Sequence, residues 1–136
     1  MAAQRGKELL VKIDDGTGNF ITVAGLRTRR LALNADTVDA TDSESVGRWR
    51  ELLAGAGARR ASLAGNGVFK DAASDALIRQ VFFDGVIRPW QIVVPDFGVI
   101  SGLFQISSLD WRGEHSGEIT FDIALESAGP LAFVAI

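Results

Sequence analysis

Few residues of this 136-residue chain have the type and spacing that catalysis or metal binding requires. His115 is the single histidine and cysteine is absent, so neither a multi-histidine metal centre nor a cysteine nucleophile can be built. His115 lies between Gly113 and Gly117, a setting typical of a solvated turn residue rather than of a Ser-His-Asp triad. We therefore expect no metal, no cofactor and no enzymatic activity.

Three other motifs resemble ligand sites only weakly. The segment 14–19 (DDGTGN) has the composition of a calcium loop but lacks the alternate ligand spacing and the closing Glu, so a hairpin turn explains it better. The segment 55–60 (GAGARR) is not followed by the Lys-Ser/Thr of a phosphate-binding loop. The carboxylates of Glu118, Asp122 and Glu126 recur at strand spacing, which indicates a solvated stripe rather than an acid/base pair.

The composition predicts one folded domain over residues 1–136. Hydrophobic residues make up 47% and charged residues 23%, as in ordinary globular chains. Because 14 Lys and Arg oppose 17 Asp and Glu, the net charge is -3, and we expect only loose encounters with nucleic acid. The apolar run near the N-terminus is too short for a signal peptide and no window reaches a membrane span, so we expect a chain that is soluble and intracellular when made, with no membrane insertion.

The elements that would position these residues are mostly strands. Alternating apolar residues predict about seven strands, and an apolar stripe predicts one helix over 71–84 that Asp71 caps and Gly85 ends. In the last strand we expect Ile119, Phe121, Ile123 and Leu125 on the buried face. Trp90 and Trp111 are also expected to be buried. The predicted strands are 8–13, 20–24, 27–33, 60–69, 90–94, 99–111 (with a bulge at Ser107-Ser108) and 118–126.

The segment 34–50 (NADTVDATDSESVGRWR) interrupts these strands with an unusually long, acidic connection. Such a connection in a compact domain is usually either disordered or reserved for contact with a partner. We interpret it as an arm for another subunit, followed by a helical turn over 49–53. An acidic arm and paired arginines elsewhere permit head-to-tail contacts that build rings or filaments. The arm residues proposed to make these contacts are Asp36, Thr37, Val38, Asp39, Thr41, Asp42, Glu44, Trp49 and Arg50.

About seven strands, one helix and short turns favour a mainly β fold, a β-sandwich or part-barrel with one flanking helix. Such a sheet leaves strand edges open, and only three prolines are available to guard them. Unguarded edges can pair with a neighbouring chain. The fold and the arm therefore point to the same behaviour, which is self-association.

The order of these segments resembles the major tail proteins, or tail tube proteins, of long-tailed siphophages and of gene transfer agents. The resemblance covers nearly the whole chain, and the short length and Arg-rich composition are closest to the gene transfer agent version. It is carried by VAGLR at 23–27, TVDATD at 37–42, WRELLAG at 49–55 and the segment 62–69 that leads into the helix.

The resemblance implies a structural virion protein with the tail-tube fold and no enzymatic activity. Six copies would close into a ring, and rings would stack into a tube through which DNA leaves without specific binding. The arm would reach neighbouring subunits or the adjacent ring, and other tail proteins would bind at the tip and at the capsid-proximal end.

A tube must have a face toward its channel, and a wall of negative charge would let DNA slide. We predict that this face carries Gln105, Ser107, Glu118, Thr120, Asp122 and Glu126, although an ordinary outer surface explains the same alternation. Three other functions stay open. They are a type VI secretion-like tube protein, a stand-alone adhesin or carbohydrate-binding module that uses Trp49, Trp90 and Trp111, and a small carboxylate enzyme.

Overall fold

The computed structural model describes residues 9–113, 115 and 117–136, and within them seven strands form one antiparallel sheet with one α-helix. The mainly β class predicted from the sequence is confirmed. The elements are β1 (Leu10–Asp14), β2 (Phe20–Thr22), β3 (Leu26–Ala35), β4 (Arg59–Val68), α1 (Ala73–Asp84), β5 (Arg88–Val94), β6 (Gly98–Arg112) and β7 (Thr120–Ala135).

The strands follow the order β2-β1-β5-β6-β7-β4-β3, and every neighbouring pair is antiparallel. The sheet curves into a half-barrel, so of the two predicted architectures the part-barrel describes it. Strands β2 and β3 stand at the two edges of the sheet. No helix among the described residues has the length and apolar character needed to cross a bilayer.

The core lies on one face of the curved sheet, where alternation sends every second residue of each strand. In β7 these residues are Phe121, Ile123 and Leu125, all buried as predicted. Trp90 and Phe104 are completely buried in the neighbouring strands. The helix α1 completes this core with Ile78 and Val81, which it buries.

Two predictions of buried aromatic and aliphatic residues are wrong. Trp111 is 44% exposed and Ile119 is 46% exposed, although the alternating pattern assigns both to the core face. They lie where β6 ends and β7 begins, and no described element covers the sheet completely there. The strand β7 also begins after Ile119 and continues well past Glu126, to Ala135. Phe82 of the predicted apolar helix stripe is likewise 40% exposed.

Local features of the backbone follow the sequence closely. The predicted bulge is confirmed, because the register of β6 against β7 shifts between Ile106 and Ser108. Gly85 ends α1 with φ of 65°, as predicted. Asp71 is not the helix cap. Ala72 occupies that position, and its N–H is bound by the carboxylate of Asp75 at 3.0 Å.

Candidate self-assembly surfaces

Residues 36–58 join β3 to β4 and form the arm. Its two limbs run antiparallel, with Asp39 bridging Leu52 and the Ala40 N–H donating to the Glu51 carbonyl at 2.8 Å. A short 3₁₀ helix, Val46–Arg48, stands at its tip. Two predictions are corrected here. Residues 34 and 35 belong to β3 rather than to the arm, and residues 49–53 are extended rather than helical because they pair with the opposite limb.

The base of the arm is tied to the sheet. The Asp36 N–H donates to the Ala58 carbonyl at 2.7 Å, and the Arg60 guanidinium donates to the Asp36 carboxylate at 2.7 Å. This hydrogen bond raises the pKa of Arg60 above its usual value. Gly57 permits the closure, since a Cβ there would lie 1.7 Å from the Asp36 carbonyl oxygen. The arm therefore leaves the sheet in a defined direction.

The acidic side chains of the arm mainly shape its own turns. Hydrogen bonds from the hydroxyl and then the backbone N–H of Thr41 lower the pKa of Asp39, whose carboxylate accepts the N–H at 2.8 Å. The Asp42 carboxylate accepts the Glu44 N–H at 2.8 Å. Asp residues in such positions stabilise turns by mimicking the backbone. The predicted arm residues all lie on this structure, and four of them, Asp36, Asp39, Thr41 and Asp42, help to hold it in shape.

The arm also exposes several apolar side chains, of which the sequence prediction named only Val38 and Trp49. Val46 is 82% exposed and Trp49 is 76% exposed, both at the tip. Leu52 and Leu53 on the returning limb are also exposed. Because the pattern of residues 49–53 (WRELL) predicts a helical turn, it did not indicate that Trp49, Leu52 and Leu53 are exposed. An exposed apolar surface rimmed by polar groups marks a contact site.

A polar surface covers the sheet face opposite to the core. Paired residues of an antiparallel ladder point to the same side, so the register places Gln105 beside Glu126 and Ser62. The same register places Asp110 beside Asp122 and Asn66. A shallow groove of about 320 Å³ runs across this face. Its lining includes Thr28, Arg30, Asn66, Ser108 and Asp122.

The residues predicted to line a channel are only partly brought together. Alternation in β7 puts Thr120, Asp122 and Glu126 on the polar face, and Gln105 joins them from β6. Ser107 instead sits in the bulge, where its hydroxyl donates to the Ala124 carbonyl at 3.2 Å. Glu118 lies before β7 and forms an ion pair with Arg27. Asp110 was missed, although the predicted bulge at Ser107-Ser108 already places it on the face opposite to Leu109 and Trp111.

The remaining sequence motifs are ordinary turns. Asp14 closes the β1–β2 turn, with its carboxylate accepting the N–H groups of Gly16 at 2.7 Å and Gly18 at 3.2 Å. His115 is exposed in the β6–β7 turn. Within residues 9–113, 115 and 117–136, no three His, Cys, Asp or Glu side chains form a group that could hold a metal ion.

Comparison with known families identifies the class of protein to which these surfaces belong. The model of the phage tail tube protein family matches residues 3–133. The chain belongs to the phage tail tube protein family. The family assignment confirms the resemblance seen in the sequence, and no match was found among curated proteins.

Solved structures similar to this tail tube protein come from assembled particles. A chain in the structure of the tail of an empty GTA particle with C6 symmetry is 54% identical in sequence to this one. Its TM-score is 0.94 over 98% of this chain and 100% of that chain. A chain in the structure of the virion of a native gene transfer agent (GTA) particle is 53% identical in sequence. Its TM-score is 0.92 over 98% of this chain and 100% of that chain. The SPP1 tail tube is 15% identical with a TM-score of 0.74 over 97% of this chain and 79% of that chain, which shows a shared fold.

Proposed function

We propose that this chain is the major tail tube subunit of a gene transfer agent-like particle, forming hexameric rings that stack into a hollow conduit for DNA. The observation that carries this proposal is the 54% identity, over nearly the full length of both chains, to a GTA tail with C6 symmetry. The protein then acts as a structural component of the virion. DNA passes through it without specific binding, and the chain catalyses no reaction.

The two sheet edges support ring closure. Among the described residues, the ten-residue strand β3 pairs only on its β4 side and the short β2 only on its β1 side. An exposed strand edge is a template for pairing with another chain. An edge contact between different patches of identical subunits closes into a ring when the rotation allows it. In this arrangement six copies complete one another's open edges.

The arm supports contact beyond the subunit. It carries Asp36, Thr37, Val38, Asp39, Thr41, Asp42, Glu44, Trp49 and Arg50, the residues that we propose meet the neighbouring subunit or adjacent ring. Its exposed apolar tip has no cover within the described residues. Burying that tip against a neighbour stabilises the assembly by about 25 cal/mol per Å² of apolar area removed from water.

We further propose that the polar sheet face lines the channel. The proposed channel face carries Gln105, Thr120, Asp122 and Glu126, which the sequence predicted. Ser107 and Glu118 lie at its margin, and Asp110 is added. Six copies at -3 give a ring of -18, and repulsion between that charge and phosphate favours sliding over sticking. Other tail proteins bind the tube at its tip and at its capsid-proximal end. A type VI secretion-like tube or a glycan-binding module has no comparable support.

Removal of the arm tests this function. Replacing residues 38–56 by a short Gly-Asn-Gly turn keeps the Asp36–Ala58 closure, so the sheet should fold with an unfolding midpoint near that of the wild type. We expect electron micrographs of the concentrated wild-type chain to contain hollow tubes and those of the variant to contain none. Tubes of normal length from the variant would refute the role of the arm, and a wild-type chain that stays monomeric would refute the tube itself.

A further inference from the structure

An apolar groove lies between the start of α1, the last residues of β4 and β6, and the beginning of β7. Its volume is about 290 Å³, near the lower limit of about 300 Å³ for ligand pockets, so it has room for little more than one large side chain. Trp111 and Ile119, the two residues expected in the core, form part of its wall. Phe69 and Ala76 complete the apolar lining.

The charged residues of the groove are predominantly acidic. The carboxylates of Asp71 and Asp75 stand against the single guanidinium of Arg79. Asp75 is buried and already binds the Ala72 N–H, whereas Asp71 is exposed. Asp71 is thus the carboxylate that an incoming cation can reach.

The arm tip has the complementary character. The arm is acidic overall, but Trp49 at its tip is flanked in sequence by two positive charges, Arg48 and Arg50. The charge of Arg50 also acts on Asp39 of the arm, whose pKa it helps to lower. Gly47 leaves room for this indole, since a Cβ added there would lie 3.0 Å from the indole Cδ1 atom. The indole is 76% exposed and is therefore accessible to a partner.

The arm and the groove lie at opposite ends of the same strands. β4 begins at Arg59, where the arm returns to the sheet, and ends at Val68, next to Phe69 of the groove. Ten residues at about 3.3 Å each separate the two sites by about 33 Å along the strand. A tip on one end and a receptor on the other end are the requirement for head-to-tail association.

We infer that Trp49 of one copy inserts into this groove of the next copy, with Arg48 and Arg50 facing Asp71. The inference rests on the proposed tube and names the receptor of its arm. Insertion removes the exposed Trp49, Trp111 and Ile119 from water together, and the interface center becomes an aromatic anchor in a pocket, the usual form of an energetic hot spot.

The absence of cysteine from the chain allows a direct test with engineered pairs. In tubes of the double variant Arg50→Cys/Ala76→Cys, oxidation should link each subunit to the next and give a ladder of covalent oligomers on non-reducing gels. A mixture of the two single variants should give dimers only. The matched control, Arg50→Cys with Asn19→Cys in the exposed β1–β2 turn, should give no such ladder.

Footprinting of the wild-type protein provides a second readout where a cysteine variant fails to assemble. Hydroxyl radicals should label Trp49 and Trp111 in free subunits, and labelling of both should fall at least tenfold in tubes, with buried Trp90 as the internal reference. Tubes that form while either tryptophan keeps its labelling, or while the assembled cysteine pair stays unlinked, would overturn the inference and leave the proposed tube intact. Failure of the wild-type chain to form tubes would instead refute the proposed function.

Discussion

At the scale of single residues, the pairing of Asp110 with Asp122 places two carboxylates side by side on neighbouring strands. Like charges directly opposite each other destabilise a sheet by a few tenths of a kcal/mol or more. The Arg112 guanidinium, 3.5 Å from the Asp122 carboxylate, offsets this repulsion only in part because both side chains are well exposed. In the proposed tube, these two carboxylates would add to the negative charge of a channel wall that repels phosphate.

We predict that Asp110→Asn raises the stability of the isolated subunit by about 0.2–1 kcal/mol, because it removes the repulsion and keeps the side-chain shape. The midpoint of urea unfolding measures this change. Glu44→Gln, which alters an exposed carboxylate of the arm outside any α-helix, is the control and should shift the midpoint less. An unchanged or lower midpoint for Asp110→Asn would show that the pair is not repulsive.

The sequence predicted Asp122 but not its partner. Strict alternation in β7 assigned the faces of Phe121, Asp122 and Ile123, whereas Asp110 follows the β6 bulge and is assigned only when the alternation is restarted after it. Alternation also failed for Trp111 and Ile119, because it gives the direction of a side chain but not whether another element covers it. The alternating pattern therefore predicts burial least well for residues at the ends of strands.

At the scale of elements, the contact between β3 and β4 depends on small residues. The pairing of these strands shifts register between Leu26 and Thr28, opposite Gly67. A Cβ on Gly67 would lie 2.1 Å from the Gly25 carbonyl oxygen, which is backbone and cannot turn away. The backbones of the two strands therefore approach closely at Gly67. The length and shape of the arm could not be predicted, because its pairing joins residues that lack an alternating pattern.

We predict that Gly67→Ala lowers the free energy of unfolding by about 1–3 kcal/mol, the usual cost of inserting a methyl group into a closely packed site. Gly113→Ala is the matched control, because nothing lies within 4 Å of a Cβ at that position. Urea denaturation of both variants as dissociated subunits measures the difference. Equal stability of the two variants would contradict the close approach of β3 and β4.

At the scale of the whole molecule, one small domain carries three kinds of surface, and the proposed assembly gives each a separate role. In the proposed assembly, the open edges of β2 and β3 would make the lateral contacts and the arm and the groove the axial contacts, which would leave the polar face free. The sequence predicted self-association and the acidic stripe from local patterns. It could not predict that the arm and the groove lie at opposite ends of β4, since that relation arises only when the strands pair.

A reconstruction of tubes from the wild-type chain by electron cryo-microscopy tests the central claim most directly. We predict rings of six subunits stacked around an open channel, with Gln105, Asp110, Asp122 and Glu126 on the channel wall. A solid filament, another ring symmetry, or a tube with these side chains on its outer surface would contradict the account.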